Sequence, residues 1–332
     1  MRTFAFRFLL PLALLSGLSS HPAAQAPAAS AANYPERPIT LVVPYAPGGQ
    51  FDMHARILVK RLSATLGQPV IIDNKPGAGT TIGGGYAAQA KPDGYTLLLA
   101  GGSMLAIAPH TYASLRYKTE DFQTISLVTI IPVGLIINPK ALPVRDFKEF
   151  IAYARANPGK IDYATTGPGG ASHLLGELIK ARLGIDMVAI HYKGAGPAMQ
   201  DVLSGRVPSI VDSLPPHLPH MAQGNELGLA ISSEKRLPGA PQVPTFTELG
   251  YPELAMSSWG GVVAPKGTAP AIIDKLYRAV VDAVNSDEFR SRVIADAILP
   301  MTNTPAEFDA LIKRDYAVWG ELVRKLGGIK LD

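Results

Sequence analysis

The stretch LVVPYAPGGQFDMHARIL, Leu41 to Leu58, decides how this chain is read. An apolar run, Leu41-Val42-Val43, enters a turn at Pro47-Gly48-Gly49, and a helical pattern follows with Asp52 as its first ionisable residue. Strand, glycine loop and helix start, in that order, present backbone N–H groups to an anion. The order recurs. NKPGAGTTIGGG (74–85) and TTGPGGASHLLGELIKARLG (165–184) each follow an apolar run and precede a helical one. One such loop is an ordinary connector. Three at strand ends form a pattern, because open α/β sheets bind ligands beyond the carboxyl ends of their strands.

Working outward, β-like runs such as QPVIID, YTLLLAG, MVAIHYKG and LGLAISS alternate with helical segments, which predicts α/β architecture with mostly parallel sheets flanked by helices. About 300 residues after the N-terminal region exceed one compact core, so two lobes are expected. The run from Ile125 to Pro139 is too long for one strand. It reads as a strand leaving the first lobe, a hinge near Pro132, and the first strand of the second. MSSWGGVVAPKGT (256–268) then carries the chain back. The expected division is 33–132 with 257–332 for a discontinuous first lobe, and 133–256 for the second. Helix boundaries are marked by Asp146 with Glu149, and by Thr304-Pro305-Ala306-Glu307, which combines a hydroxyl N-cap, a first-turn proline and a glutamate at the third position. The helix after Thr304 carries Phe308, Ile312, Trp319, Leu322 and Val323 near one face, and this spacing makes Trp319 a core residue.

Residues 1–31 have the form of a secretory leader: Arg2 and Arg7, an apolar stretch from Phe8 to Leu18, and an Ala29-Ser30-Ala31 cleavage pattern. No other apolar run approaches the ~20 residues a membrane-spanning helix needs. A cleaved, exported protein is expected. The chain has no cysteine, which excludes disulfides, thiolate metal sites and cysteine nucleophiles. Net charge is +4, about +2 without the two leader arginines, and no basic run suggests a nucleic-acid footprint.

Other chemistries fare poorly. GAGTTIG (77–83) lacks the strict spacing of a dinucleotide loop, and the acid expected about 20 residues on would be Asp93, in a turn. GGSML (101–105) has Leu105 where a nucleophile elbow needs glycine. His217 and His220, in PPHLPH, have no accompanying carboxylate cluster, so neither a metal nor another cofactor is expected. No catalyst assembles, and the protein is read as a binder. The loops combine many backbone donors with few charges, which suits a small carboxylate held by N–H groups and water. Asp52 has two readings at this point, a cap on its own loop or a ligand contact. Asp212 ends the run VPSIVD, where a strand meets the expected cleft, and Lys193 follows another strand.

VPYAPGGQFDMHAR, NKPGAGTTIG, PDGYTLLLAG, NPGKIDYATTGPGGASHL, YKGAGPAMQDVLSGRV, LPGAPQVPTFTELG and WGGVVAPKGT, taken together and in order, resemble the Bug-type solute-binding proteins of tripartite tricarboxylate transporters. The resemblance covers essentially everything after the leader. It implies a periplasmic, monomeric, two-lobed receptor of the periplasmic-binding-protein architecture (type II-like). Such a receptor captures a small organic carboxylate and hands it to membrane permease subunits. It also implies ligand contacts at Gly48, Gly49 and Asp52, at Gly77, Ala78 and Gly79, and at Ser103. On the same basis Thr166, Gly167, Ser172 and His173 belong to the site, with Lys193, Gly194 and Asp212 on the far lobe. Phe51 stands where a small hydroxyl residue is usual, and Thr80 where glycine is common; Pro208 and Val211 also depart from the pattern. A receptor feeding a signalling partner fits the same residues. An exported α/β hydrolase would need a nucleophile with a base in reach, and the sequence supplies none.

Overall fold

A computed structural model describes residues 33–48, 50–296, 298–329 and 331. The expected leader, residues 1–31, lies outside the described residues. Two sheets organise the chain. The first has six strands, ordered β11-β4-β10-β3-β1-β2: β1 (Ile39–Val43), β2 (Val70–Asn74), β3 (Thr96–Gly101), β4 (Phe122–Ile131), β10 (Ser258–Pro265) and β11 (Leu299–Pro300). The second has five, ordered β7-β6-β8-β5-β9: β5 (Val133–Ile137), β6 (Asp162–Thr165), β7 (Val188–His191), β8 (Ser209–Ser213) and β9 (Leu227–Ile231). The helices are α1 (Gln50–Leu66), α2 (Thr81–Ala88), α3 (Ala108–Thr111), α4 (Phe147–Ala156), α5 (Ala171–Leu183), α6 (Ala195–Leu203), α7 (Leu218–Ala222), α8 (Pro270–Val284), α9 (Asp287–Ala295) and α10 (Pro305–Lys325). Among the described residues no helix is long and apolar enough to cross a membrane.

Local sequence explains the elements. β1 is apolar at nearly every position because β2 and β3 pair with it on both edges and helices cover both faces. On α1, Ala55, Leu58, Leu62 and Leu66 form a buried stripe at helical spacing, packed with Ile272 and Leu276 of α8. Asp146 caps α4 by accepting the Glu149 N–H at 2.8 Å. Thr304 and Glu307 form a reciprocal capping box on α10, with Pro305 in the first turn.

Most strands of each sheet run in one direction, as expected: β1 to β4 in the first and β6 to β9 in the second, with reversed strands set among them. β1 runs parallel to β2 and β3, and β6 parallel to β7 and β8. β10, however, is antiparallel to both β3 and β4, and β5 to both β8 and β9. The cause is the double crossover. Pro132 alone separates β4 from β5, in different sheets, and β10 enters the first sheet after the second is complete. A strand arriving from the other lobe starts at the cleft. It therefore runs against strands whose carboxyl ends point there.

α10 belongs to both lobes. Phe308 and Ile312 pack with Trp259 and Leu98 of the first sheet, while Trp319, Leu322 and Val323 pack with Leu174 and Leu178 of α5. Trp319 is buried in that second core, as its spacing predicts. The first contact depends on a missing side chain: a β-carbon at Gly261 would lie 2.3 Å from Phe308 Cζ.

Candidate functional site

A cleft of about 370 Å³ lies between the sheets. The first lobe contributes Tyr45 after β1, Phe51 at the start of α1, and Gly79 and Thr80 from the second glycine loop. It also contributes Ser103 and Ile107 from a π-helical turn (Ser103–Ile107), Tyr112 after α3, and Ser258 at the start of β10. The second lobe contributes the loop from Thr166 to Gly170, and Leu331 approaches from beyond α10. No lysine, arginine, histidine or carboxylate side chain is among these lining residues.

Two helix N-termini open into this space from opposite lobes. Gly170 is the N-cap of α5, and no side chain caps that end. Thr80 is the N-cap of α2, also without a side-chain cap, in a left-handed conformation (φ 82°). Among the described residues it is the one non-glycine with positive φ, a geometry that costs a threonine about 1–2 kcal/mol. Its Oγ1 is buried with no hydrogen-bond partner among the described residues. Such helix ends favour negative charge by roughly 0.3–1 kcal/mol each when exposed, and by up to about 2 when partly buried. Phe51 lies flat on Tyr45, with ring centroids 4.2 Å apart and planes within 4°. The cleft thus has an aromatic wall beside neutral polar groups.

Of the residues singled out from sequence, Gly79, Ser103, Thr166 and Gly167 line the cleft. Several others lie behind it and shape the loops. Asp52 is fully buried and accepts the Gly48 N–H at 2.8 Å, Arg56 Nε at 2.8 Å and Asn74 Nδ2 at 2.9 Å. Burial alone would raise its carboxyl; these donors outweigh that and hold it below the usual carboxylate range. Its oxygens bind the first loop to β2. Ser172 Oγ accepts the Thr166 N–H at 3.2 Å and donates to the Val211 carbonyl, tying α5 to β6 and β8. Gly77 accepts the Thr80 N–H at 3.0 Å, and Ala78 opens the short turn Ala78–Thr80. Gly194 donates its N–H to the Thr166 carbonyl at 3.2 Å, and Lys193 beside it is exposed. Gly49 lies outside the described residues.

Asp212 also faces inward. Its Oδ1 accepts the Ser213 N–H at 2.7 Å, and Oδ2 stands 3.5 Å from His217 Nε2, an ion-pair contact without hydrogen-bond geometry. The other ring nitrogen of His217 lies 2.9 Å from Glu226 Oε2, and both these side chains are fully buried. Burial opposes the imidazolium, but the two carboxylates prevail and push its pKa up to about 9.

His173 accepts the Gly169 N–H on Nδ1 at 3.1 Å, so that nitrogen carries no proton. Its ring meets His191 edge-on at 4.5 Å, and His191 Nδ1 lies 2.8 Å from Thr165 Oγ1. Burial lowers the His173 pKa; His191 and Lys180 add to this, and Glu177 opposes it. Protonation therefore breaks the bond to Gly169. A histidine with a depressed pKa supports its loop fully above about pH 6.5 and loses that support as pH falls through the folded-state value. The Gly169 amide is expected to lose hydrogen-exchange protection on acidification, while His173→Ala shows low protection at every pH. Constant protection down to pH 4 would remove His173 from this role.

Sequence reasoning left Tyr112, Ser258, Gly169, Gly170 and Leu331 off the list; it noted Thr80 as a departure, and Phe51 as one that would narrow the pocket or favour an aromatic or apolar ligand body. Gly169 and Gly170 sit in a loop already singled out; Tyr112 and Leu331 carry no local signal.

Residues 54–328 match the family described as "Tripartite tricarboxylate transporter family receptor". The chain is 40% identical to the protein BugT of Bordetella pertussis over 300 residues, covering 90% of this chain and 92% of BugT. The structure of R. palustris Rpa4515 with adipate is 32% identical, with a TM-score of 0.73 over 90% of this chain and 100% of that one. MatC (Rpa3494) from Rhodopseudomonas palustris with bound malate is 31% identical, with a TM-score of 0.70 over 87% and 100%.

Proposed function

This chain belongs to the tripartite tricarboxylate transporter receptor family, and on that premise we propose that it captures a small organic carboxylate in the periplasm. It then passes the acid to membrane permease subunits. The observation that carries this reading is the pair of helix N-termini, at Thr80 and Gly170, meeting across an interlobe cleft with no cationic side chain among its described lining residues. An acid held there is recognised by main-chain dipoles, the Thr80 hydroxyl and water. The lobes divide at 33–132 with 257–332, and 133–256. Closure turns about the two crossovers, and ligand favours the closed form because it touches both lobes only there. The adipate and malate of the related structures support the ligand class. The reading is of a receptor: no histidine or carboxylate among the lining residues is in place to activate Ser103 or Ser258. The protein acts as a monomer, exported by a leader cleaved near residue 31.

The ligand contacts are Gly79, Ser103, Thr166 and Gly167, while Asp52, Ser172 and His173 hold the loops that present them. The aromatic wall directs the acid's body. Phe51→Thr is expected to weaken acids with an aromatic or long aliphatic body about tenfold, or ~1.4 kcal/mol, and short acids far less. Native mass spectrometry of the purified protein, then calorimetry with mono-, di- and tricarboxylates, checks both claims. No binding of any carboxylate by the unaltered protein would sink the receptor reading. Equal losses for short and long acids would remove Phe51 from selectivity.

A further inference from the structure

After α10 the chain turns at Gly327 and Gly328, both with positive φ, and runs back toward the cleft. Leu331 pairs as a β-bridge with Tyr112: its N–H donates to the Thr111 carbonyl at 2.6 Å, and its carbonyl accepts the Ala113 N–H at 3.5 Å. That fixes its backbone to the first lobe. Its side chain reaches the other lobe, because a β-carbon added at Gly169 would lie 3.0 Å from Leu331 Cδ1 and 3.3 Å from Ile329 Cγ2. Leu331 also lines the cleft. One apolar side chain, anchored by main-chain hydrogen bonds on one lobe, therefore abuts the glycine loop of the other inside the ligand space.

Resting on the receptor reading above, we propose that Leu331 is a specificity-determining residue: the wall that sets how long an acid the closed cleft accepts. Three observations support this. The α5 N-terminus is the anion-favouring end of the second lobe, and Gly169 and Gly170 immediately precede it, so a group touching Gly169 stands beside the place where a carboxylate would sit. Leu331 is apolar and offers the acid nothing but volume and dryness. Its position is held by backbone contacts, so a smaller side chain leaves the strap in place and enlarges the cavity. The neighbouring segment is anchored independently, by Trp319, Leu322 and Val323 in the core around α5.

The test uses the full chain with Leu331→Ala and Leu331→Trp, titrated calorimetrically with linear dicarboxylates from succinate to sebacate and the matching monocarboxylates. Each methylene accommodated in an apolar site is worth about fourfold in affinity. Leu331→Ala is expected to move the preferred length up by one or two carbons, so that the longer acid gains at least about fourfold over the shorter. Leu331→Trp is expected to move it down. Melting temperatures monitored alongside separate length selection from loss of fold, and the two variants shift selectivity in opposite directions, which general destabilisation cannot do. An unchanged length profile in both variants overturns the proposal while the receptor reading stands. Failure of the unaltered protein to bind any acid overturns both.

Discussion

Replacing His217 with alanine is expected to lower stability by roughly 3–5 kcal/mol, the range found when one partner of a buried ion pair is removed. The cost comes from what is left behind. His217 stands between Asp212 and Glu226, and without it two buried carboxylates face each other with no cation between them. Chemical denaturation at neutral pH reads the effect; a loss under 1 kcal/mol would mean that the carboxylates do not depend on the imidazolium. The pH dependence has a defined sign. The folded-state pKa of about 9 lies above the ordinary value of 6.5. The stabilisation is therefore complete below about pH 6.5 and disappears as pH rises through 9, by an amount on the order of 3 kcal/mol. The unaltered protein should weaken between pH 7 and 9.5, and His217→Gln should lack that slope.

Asp52→Ala is the second large effect, at roughly 2–4 kcal/mol, since hydrogen bonds to a charged group are each worth about 1.5–3 kcal/mol. Removing the carboxylate strips partners from the Gly48 N–H and the Asn74 amide; Arg56, half exposed, recovers water and limits the loss. Asp52→Asn keeps the shape and should lose less. The carboxyl is held below its usual range in the folded state, so its contribution is present above about pH 4 and fades as acid protonates it. Ligand affinity should fall with stability, because the first loop comes loose from β2. A stable Asp52→Ala protein with unaltered denaturation midpoint would show that the loop holds its shape unaided.

The same two residues show how far the sequence could be read. Strand, glycine loop and helix were legible at Leu41–Leu58 because each has its own period and its own punctuation. The direction of a side chain at the junction was not. Asp52 can turn toward a ligand or toward Gly48, and the choice depends on Asn74, twenty-two residues away on another strand. Asp212 likewise ends an apolar run at the expected edge, but what it faces is His217, within the proline-rich segment after β8. The loops that hold Gly79, Thr166 and Gly167 were legible because they follow strands directly, whereas Ser103 entered only through the family resemblance. Tyr112 and Leu331 reach the cleft through the packing of α3 and α10, which no local pattern encodes. The reversed strands were out of reach for a related reason: alternation with helices suggests parallel neighbours, while the path between lobes reverses β5 and β10, and β11 also runs against β4.

That path also governs the order of assembly. Among the described residues β4 hydrogen-bonds to β10 and β11 and to no earlier strand, so residues 122–131 lack those sheet partners until residue 258 and beyond are available. Every strand of the five-stranded sheet, by contrast, lies between residues 133 and 231. A chain appearing amino end first can finish its later half before its earlier one, and closing so long a loop slows the final step. Residues 122–131, an apolar ribbon, stay without those sheet partners until the distant segment arrives, and are open to misassociation meanwhile.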